Sequence, residues 1–416
     1  MPEFLHLQSP NEALSNWLNH LTLHPESEEV ETAQALGRIT FQSVVAPHPL
    51  PAFDRSTVDG YALRAVDTFG ASESLPAFLV VIGEIPMGVE PKFSIQPGQA
   101  VIIHTGGMLP QGADAVVMLE NTQSVGEQEI EVLRAVAVWD NVLRIGEDVV
   151  QGEIVIPDGV RLRPPEIGGL MALGNIYVKV ARKPRVGILS SGDEVIPPDR
   201  QIRSGQVRDI NSYTLSAMVE EFGGMPIRYG IAPDQKEILF EMTIQALQEC
   251  DLIVITAGSS ASSRDITSEV IDKLGPPGVL VHGVNVRPGK PTILAACSPA
   301  GGSRCKAVMG LPGNPVSALV IARLFLKPVI DALLGIQRPN IQLVVQAELM
   351  VNLPSQAGRE DWVPVHLIFN NGRYGAEPVF GKSNLIFTLV RAEGLICIPP
   401  EATGISAGET VDVFLL

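Results

Sequence analysis

From Arg185 onward the chain alternates short apolar runs with amphipathic segments, and this alternation limits its possible folds more than any other feature. Residues 186–190, 226–231, 251–256 and 308–311 read as strands, the DLIVIT run at 251–256 being strongly apolar. Helical stretches separate them. In 212–222, Leu215, Met218, Val219 and Phe222 share a face; in 234–248, Leu239, Met242 and Ala246 align; 266–274 and the long 316–334 complete the series. Strands alternating with helices imply a parallel sheet covered on both faces. Ligands bind such sheets beyond the strand carboxyl ends, so the loops after Ser190, Thr256 and Leu311 are the places to look for chemistry.

The flanks have a different texture. Residues 11–23 carry Leu14, Trp17, Leu18 and Leu21 at helical spacing. The proline-rich segment 47–54 cannot be a continuous helix or a central strand and reads as an extended connection. Residues 78–82, 100–104, 115–119 and 129–133 are strand-like and separated by glycine and proline turns, which predicts a small β domain. Beyond Pro339 the helices stop, and 341–350, 363–369 and 411–416 predict a second one.

With 416 residues the chain is long enough for roughly two to four domains. A formal charge of −16 argues against non-specific nucleic-acid binding, which needs a basic face. It leaves room for an anionic ligand, because screening at physiological salt confines repulsion to about 8 Å and a local basic patch then decides. Cys250, Cys297, Cys305 and Cys397 lack CxxC spacing and read as reduced, mostly buried thiols of a cytosolic protein. The amino terminus does not read as a signal peptide, and the apolar stretch 319–330 is interrupted by Arg323 and Lys327, so no membrane association is expected.

Four loops fall where a ligand would sit. Ser190-Ser191-Gly192-Asp193-Glu194 puts two carboxylates at a strand end, where they could hold Mg²⁺; on spacing alone a solvated turn with an N-cap Asp is the better reading. Thr256-Ala257-Gly258-Ser259-Ser260-Ala261-Ser262-Ser263-Arg264-Asp265 leads from a buried strand to a helix through small residues that let backbone N–H groups approach an oxyanion. A plain crossover loop capped by Asp265 fits it equally well. Arg287-Pro288-Gly289-Lys290-Pro291 holds two cations on a proline-stiffened turn, in a chain with 30 basic against 46 acidic residues. In Gly310-Leu311-Pro312-Gly313-Asn314-Pro315-Val316-Ser317, Asn314 suits an N-cap and Pro315 the first helical position. Capping and anion binding use the same geometry there. In the amino-terminal half, the run from Asp54 to Ala62 and His104-Thr105-Gly106-Gly107 each read alone as a turn rather than a site.

Together the stretches PAFDRSTVDGYA, HTGGMLPQGADAVVMLE, RIGEDV, PRVGILSSGDEV, RPGKP and GLPGNPVS, in order from Pro51 to Ser317, resemble the MoeA family of molybdopterin molybdenumtransferases, whose domains recur in gephyrin; GKSN around Lys382 extends the likeness. The resemblance implies a multidomain α/β and β fold. A discontinuous, elongated N-terminal domain would take 1–50 and 143–180, with an inserted β domain at 51–142. A central α/β molybdopterin-binding domain would take 181–335, and a C-terminal β-barrel 336–416. It also implies a homodimer whose clefts use both protomers. The implied reaction inserts molybdate into adenylylated molybdopterin with release of AMP, assisted by Mg²⁺; a molybdopterin adenylyltransferase is an expected donor partner.

Carried over residue by residue, the resemblance makes Asp59, Thr105, Asp148, Glu194, Asp234 and Asp265 catalytic candidates, with Glu194, Asp234 and Asp265 as candidate metal ligands. Asp59 and Thr105 would reach the partner's cleft. Binding candidates are Ser191, Gly192, Asp193, Gly258, Ser259, Ser260, Arg287, Lys290, Pro312, Gly313, Asn314 and Pro315, with Arg359 and Ser383 as molybdate contacts. The chain departs from the family pattern in three places. AGSSASS replaces a glycine-rich SGGVSVG loop, Arg287 replaces a lysine, and Trp362-Val363-Pro364 lacks an arginine usual near there. These leave tungstate open as the metal source. Two other readings share the fold: an adenylyltransferase, on the Arg264-Asp265-Ile266-Thr267 run, and a non-catalytic scaffold.

Overall fold

The computed structural model describes residues 7–126, 128–257, 261–298, 304–337, 343–370 and 372–416, with the backbone alone at 261–265. Its centre is a six-stranded sheet in the order Met225–Ala232, Arg185–Ser191, Leu252–Thr256, Lys306–Leu311, Ile293–Cys297, Pro277–His282. The first four strands are parallel. Chain order reverses between Arg185–Ser191 and Leu252–Thr256, so the crevice for a ligand opens at the carboxyl ends of those two strands.

Alternation along these strands feeds two cores, as a sheet buried on both faces requires. Val186, Ile188, Leu252, Val254, Ala307, Met309 and Leu311 turn to one face, against the helix Asn211–Glu221 and the 315–333 helix. Leu189, Ile253, Ile255 and Val308 turn to the other, against Lys236–Glu249 and Ala261–Asp272.

The sheet is mixed where a wholly parallel one was expected. Pro277–His282 and Ile293–Cys297 form an antiparallel hairpin on its edge, and the basic turn 287–291 lies in their connection. The long C-terminal helix of this domain contains a π turn, Ala322–Leu326, directly before Pro328. Proline has no N–H for the regular ladder, and a widened turn is one way to absorb the gap.

The first helix runs Pro10–Asn19, shorter than its apolar periodicity implied. Ser9 and Glu12 close a capping box at its start. Trp17 is fully buried and its indole Nε1 donates to the Ala295 carbonyl at 2.7 Å, which docks the helix on the central sheet. Ser27–Glu31 pairs with Tyr177–Ala181 and Val44–Val45 with Ile154–Ile156, so two distant stretches of chain share one small core with Leu162 and Leu170. Between them lies a second six-stranded sheet, Ala115–Met118, Gly60–Leu63, Gln99–Ile103, Ala77–Glu84, Glu129–Val132, Thr122–Val125.

The C-terminal region is a closed five-stranded barrel. Glu360–Asn370, Arg373–Pro378, Val344–Leu349, Thr410–Leu415 and Gly394–Ile398 pair in sequence, and the last pairs back to the first. Closure removes most of the free edge and leaves the first residues of Glu360–Asn370 open on one side. Val286–Arg287 adds on parallel to Glu360–Asp361 and so laces the basic turn to the barrel. Among the described residues no helix is long and apolar enough to cross a membrane.

Candidate functional site: a cationic cleft between sheet and barrel

A cleft of about 1050 Å³ opens between the basic turn, the start of the 315–333 helix and the barrel. The turn is held from within: Val284 N–H donates to the Lys290 carbonyl at 2.9 Å and the Thr292 hydroxyl to the Gly289 carbonyl at 2.6 Å. Gly289 has φ +124°, and a Cβ there would lie 2.4 Å from Ile321 Cγ1. Only glycine lets the turn pack this closely on the helix.

Four cations line the cleft, Arg287, Lys290, Arg359 and Lys382, against one carboxylate, Asp361. In a chain of net charge −16 this is a concentrated positive field. Among the described residues neither Lys290 nor Lys382 has a carboxylate partner, and both side chains are exposed. Arg359 grips Asp361 through Nε at 2.7 Å and Nη2 at 3.3 Å. The Ser355 hydroxyl donates to the same carboxylate at 3.0 Å, and Arg287 approaches it at 3.7 Å. Burial pushes the neighbouring Glu360 carboxyl above its usual range, partly offset by the Trp362 indole N–H, which donates to it at 3.3 Å.

Pro312, Asn314 and Ser383 line the same cleft. Asn314 occupies the predicted N-cap position ahead of Pro315, but its side chain does not cap. Its Nδ2 donates to the Ser383 hydroxyl at 3.0 Å, and the Val316 N–H donates to the Ser383 carbonyl at 3.1 Å. The barrel's 380–384 loop thus caps the helix in place of the asparagine. From behind, Asn211 Nδ2 donates to the Gly313 carbonyl at 2.8 Å.

A second cleft of about 550 Å³ lies at the sheet's strand ends and is lined by Gly192, Asp193, Asp209, Tyr213 and Arg228 among others. At its rim the Ser191 hydroxyl donates to Asp234 at 3.1 Å, and the Asp234 N–H to Asp193 at 3.1 Å. Two carboxylates from adjacent strands therefore share a corner. Glu194 lines neither cleft; its carboxylate folds over Gly192, whose Cβ, if present, would meet it at 2.8 Å. Gly258, Ser259, Ser260 and the side chain of Asp265 lie outside the described residues. Among the described residues no group of three His, Cys, Asp or Glu side chains is gathered to hold a metal ion.

Asp59, Thr105 and Asp148 line neither cleft of the single chain. Asp59 accepts from the Thr105 N–H at 2.8 Å and its hydroxyl at 3.1 Å, and these bonds hold the Asp59 carboxyl below its ordinary range. Asp148 is exposed, its N–H donating to the Leu50 carbonyl. Asp361 and Lys382 were not singled out from the sequence. Asp361 sits in an Arg-Glu-Asp run entering a strand, where its charge would ordinarily be read as solvated.

A two-face-covered α/β sheet joined to a closed β-barrel across a cation-lined cleft, with a β domain inserted upstream, defines the class: a multidomain α/β and β protein. Three family descriptions match it in order: "MoeA N-terminal region (domain I and II)" over 8–174, "Probable molybdopterin binding domain" over 187–332 and "MoeA C-terminal region (domain IV)" over 346–416. The chain belongs to the MoeA family. It is 32% identical to the molybdopterin molybdenumtransferase of Bacillus subtilis over 95% of this chain and 91% of that one. Against the protein of that name from Nostoc the identity is 33%, covering 96% and 91%. A crystal structure of the molybdopterin biosynthesis MoeA protein from Pyrococcus horikoshii matches with a TM-score of 0.84 and 34% identity, covering 99% of this chain and 100% of that chain.

Proposed function

We propose that the chain is a molybdopterin molybdenumtransferase: it inserts molybdate into adenylylated molybdopterin and releases AMP, giving molybdenum cofactor. The observation that carries this is the gathering of Arg287, Lys290, Arg359 and Lys382 around one cavity in an acidic protein. Two anionic substrates repel each other, and fixed cations at the meeting point lower the cost of bringing them together. Arg359 and Ser383 are the proposed molybdate contacts, with Arg287 and Lys290 lining the same cleft. Pro312, Gly313, Asn314 and Pro315 shape the wall between.

Ser191, Gly192 and Asp193, with Gly258, Ser259 and Ser260, are proposed to hold the pterin nucleotide at the sheet's carboxyl edge. Mg²⁺ fits the residues there. Carboxylate oxygens suit a hard ion, Asp234 and Asp193 already share a corner, and Mg²⁺ needs only one or two protein carboxylates when phosphates and water complete its shell. Asp234 would hold it, with Glu194 and Asp265 as further carboxylates, and the ion would neutralise phosphate charge as the anhydride is cleaved. The side chains themselves orient the nucleotide and keep the reacting phosphate against the cations.

Asp59 and Thr105, which line neither cleft of one chain, are proposed to complete the site of a second copy in a homodimer, with Asp148 as a further functional acid. A molybdopterin adenylyltransferase is the proposed donor of the nucleotide. Burial pushes the thiols of Cys297 and Cys397 up to about 12, which keeps them protonated and fits a cytosolic setting.

The test is to supply adenylylated molybdopterin, Mg²⁺ and either molybdate or tungstate, and to measure AMP. Oxyanion-dependent AMP release is expected, and the preferred anion identifies the metal. Adenylylated product formed from molybdopterin and ATP would replace this reading with an adenylyltransferase. Mixing inactive D59A and K290A chains should restore activity if the site is shared between copies.

A further inference from the structure

We propose that Asp361 is the positioning residue that sets how Arg287 and Arg359 face a tetrahedral oxyanion; this rests on the cleft being the oxyanion site. Among the described residues Asp361 is the one carboxylate lining the cavity, and its side chain is only 6% exposed. A carboxylate so buried must be paired, and this one is paired to both arginines and to Ser355.

The pairing has a direction. Arg359 spends Nε and one Nη2 hydrogen on Asp361. A guanidinium carries five N–H groups in a rigid plane, so Nη1 and the remaining Nη2 hydrogen stay together on the edge away from the carboxylate. That edge is a ready two-point donor for an oxyanion. Arg287 comes to the same carboxylate from another part of the chain. Its strand position is opposite Asp361 in the parallel ladder, and Glu360 N–H donates to the Asn285 carbonyl at 3.1 Å, so the backbone fixes the approach. Asp361 thus holds one guanidinium from the barrel and one from the sheet domain at a set spacing, while Lys290 and Lys382 supply charge without fixed geometry.

Charge alone and positioning predict opposite signs, which makes the role testable. Asp361→Asn removes the cavity's negative charge. If the field decides, molybdate and tungstate bind more tightly. If Asp361 positions, they bind more weakly, because Arg359 loses its bidentate anchor.

The experiment titrates molybdate and tungstate into the full-length protein by calorimetry, with circular dichroism to follow folding. Wild type is expected to bind and Arg359→Ala to lose binding. Asp361→Asn should weaken binding by about tenfold or more, and Asp361→Glu should recover part of the loss. In AMP release, Asp361→Asn should raise the KM for the oxyanion more than it lowers kcat. Asp361→Asn binding as tightly as wild type or tighter, with Arg359→Ala inactive, overturns the positioning role and leaves the cleft assignment standing. Wild type failing to bind either oxyanion, or Arg359→Ala binding normally, overturns the cleft assignment and this proposal with it. Should Asp361→Asn not fold, Arg359→Lys decides: it keeps the charge but lacks the Nε/Nη2 fork, so the same loss is expected, and wild-type affinity would refute the idea.

Discussion

Asn314 and Ser383, 69 residues apart, are joined by a hydrogen bond of 3.0 Å from Nδ2 to the hydroxyl, and through it the barrel loop is tied to the first turn of the sheet domain's last helix. The Ser383 carbonyl separately receives the Val316 N–H, so the backbone tie does not need the hydroxyl. Ser383→Ala is therefore expected to leave the melting temperature near wild type. Oxyanion-dependent AMP release should fall by about tenfold, the scale of one lost polar contact. A steady-state assay beside a thermal melt separates the two effects.

Lys290 stands on a turn fixed at both ends and has no carboxylate partner among the described residues. Lys290→Ala should lower kcat for AMP release by about 10²–10³, as expected for removing a positive group from developing negative charge. Lys290→Arg should recover part of the rate. Unchanged kcat in the alanine variant would move the reacting phosphate away from this turn.

Gly289 is a stability prediction. Its positive φ and the 2.4 Å approach of a Cβ to Ile321 mean that Gly289→Ala must displace either the turn or the helix. A loss of about 1–3 kcal/mol in denaturant unfolding is expected, together with weaker oxyanion binding.

Glu360 gives a pH signature. Burial raises its carboxyl pKa above the ordinary 4.5, so the folded chain holds this proton to higher pH than the unfolded chain. The stability it contributes is full below the unfolded pKa and is lost as pH rises through the raised folded value. Glu360→Gln should melt at a higher temperature than wild type at about pH 8 and at the same temperature at about pH 3. Equal melting temperatures at both pH values would place the carboxyl in solvent.

Much of the sheet was legible because its signals are local: period, apolar run and turn residue. The hairpin Pro277–His282 and Ile293–Cys297 is not legible in the sequence because its strands are short and pair across a connection that itself contains the proline-stiffened basic turn. The barrel strands Arg373–Pro378 and Gly394–Ile398 were missed for a related reason: closure is set by long-range pairing, and neither stretch alternates cleanly. At the site, the loop motifs marked Arg287, Lys290 and Asn314 and the family resemblance supplied Arg359 and Ser383, and the fold brings all five to one cavity. Asp361 was hidden because its value lies in its burial, and no spacing rule marks an acid whose partners sit two and 74 residues away. Asn314 shows the reverse case. The residue type announced a cap, yet a tertiary partner took its side chain and supplied the cap from elsewhere.

The lacing of Val286–Arg287 onto Glu360–Asp361 also imposes an order of events during synthesis. The amino-terminal parts of a protein emerge and fold first, so the covered sheet precedes the barrel strand that grips its basic turn. Until that strand arrives, Arg287 lacks its ladder partner and Arg359 does not yet exist. A chain still on the ribosome with its sheet complete thus presents the basic turn with neither Arg359 nor Asp361 beside it, a cleft with one wall.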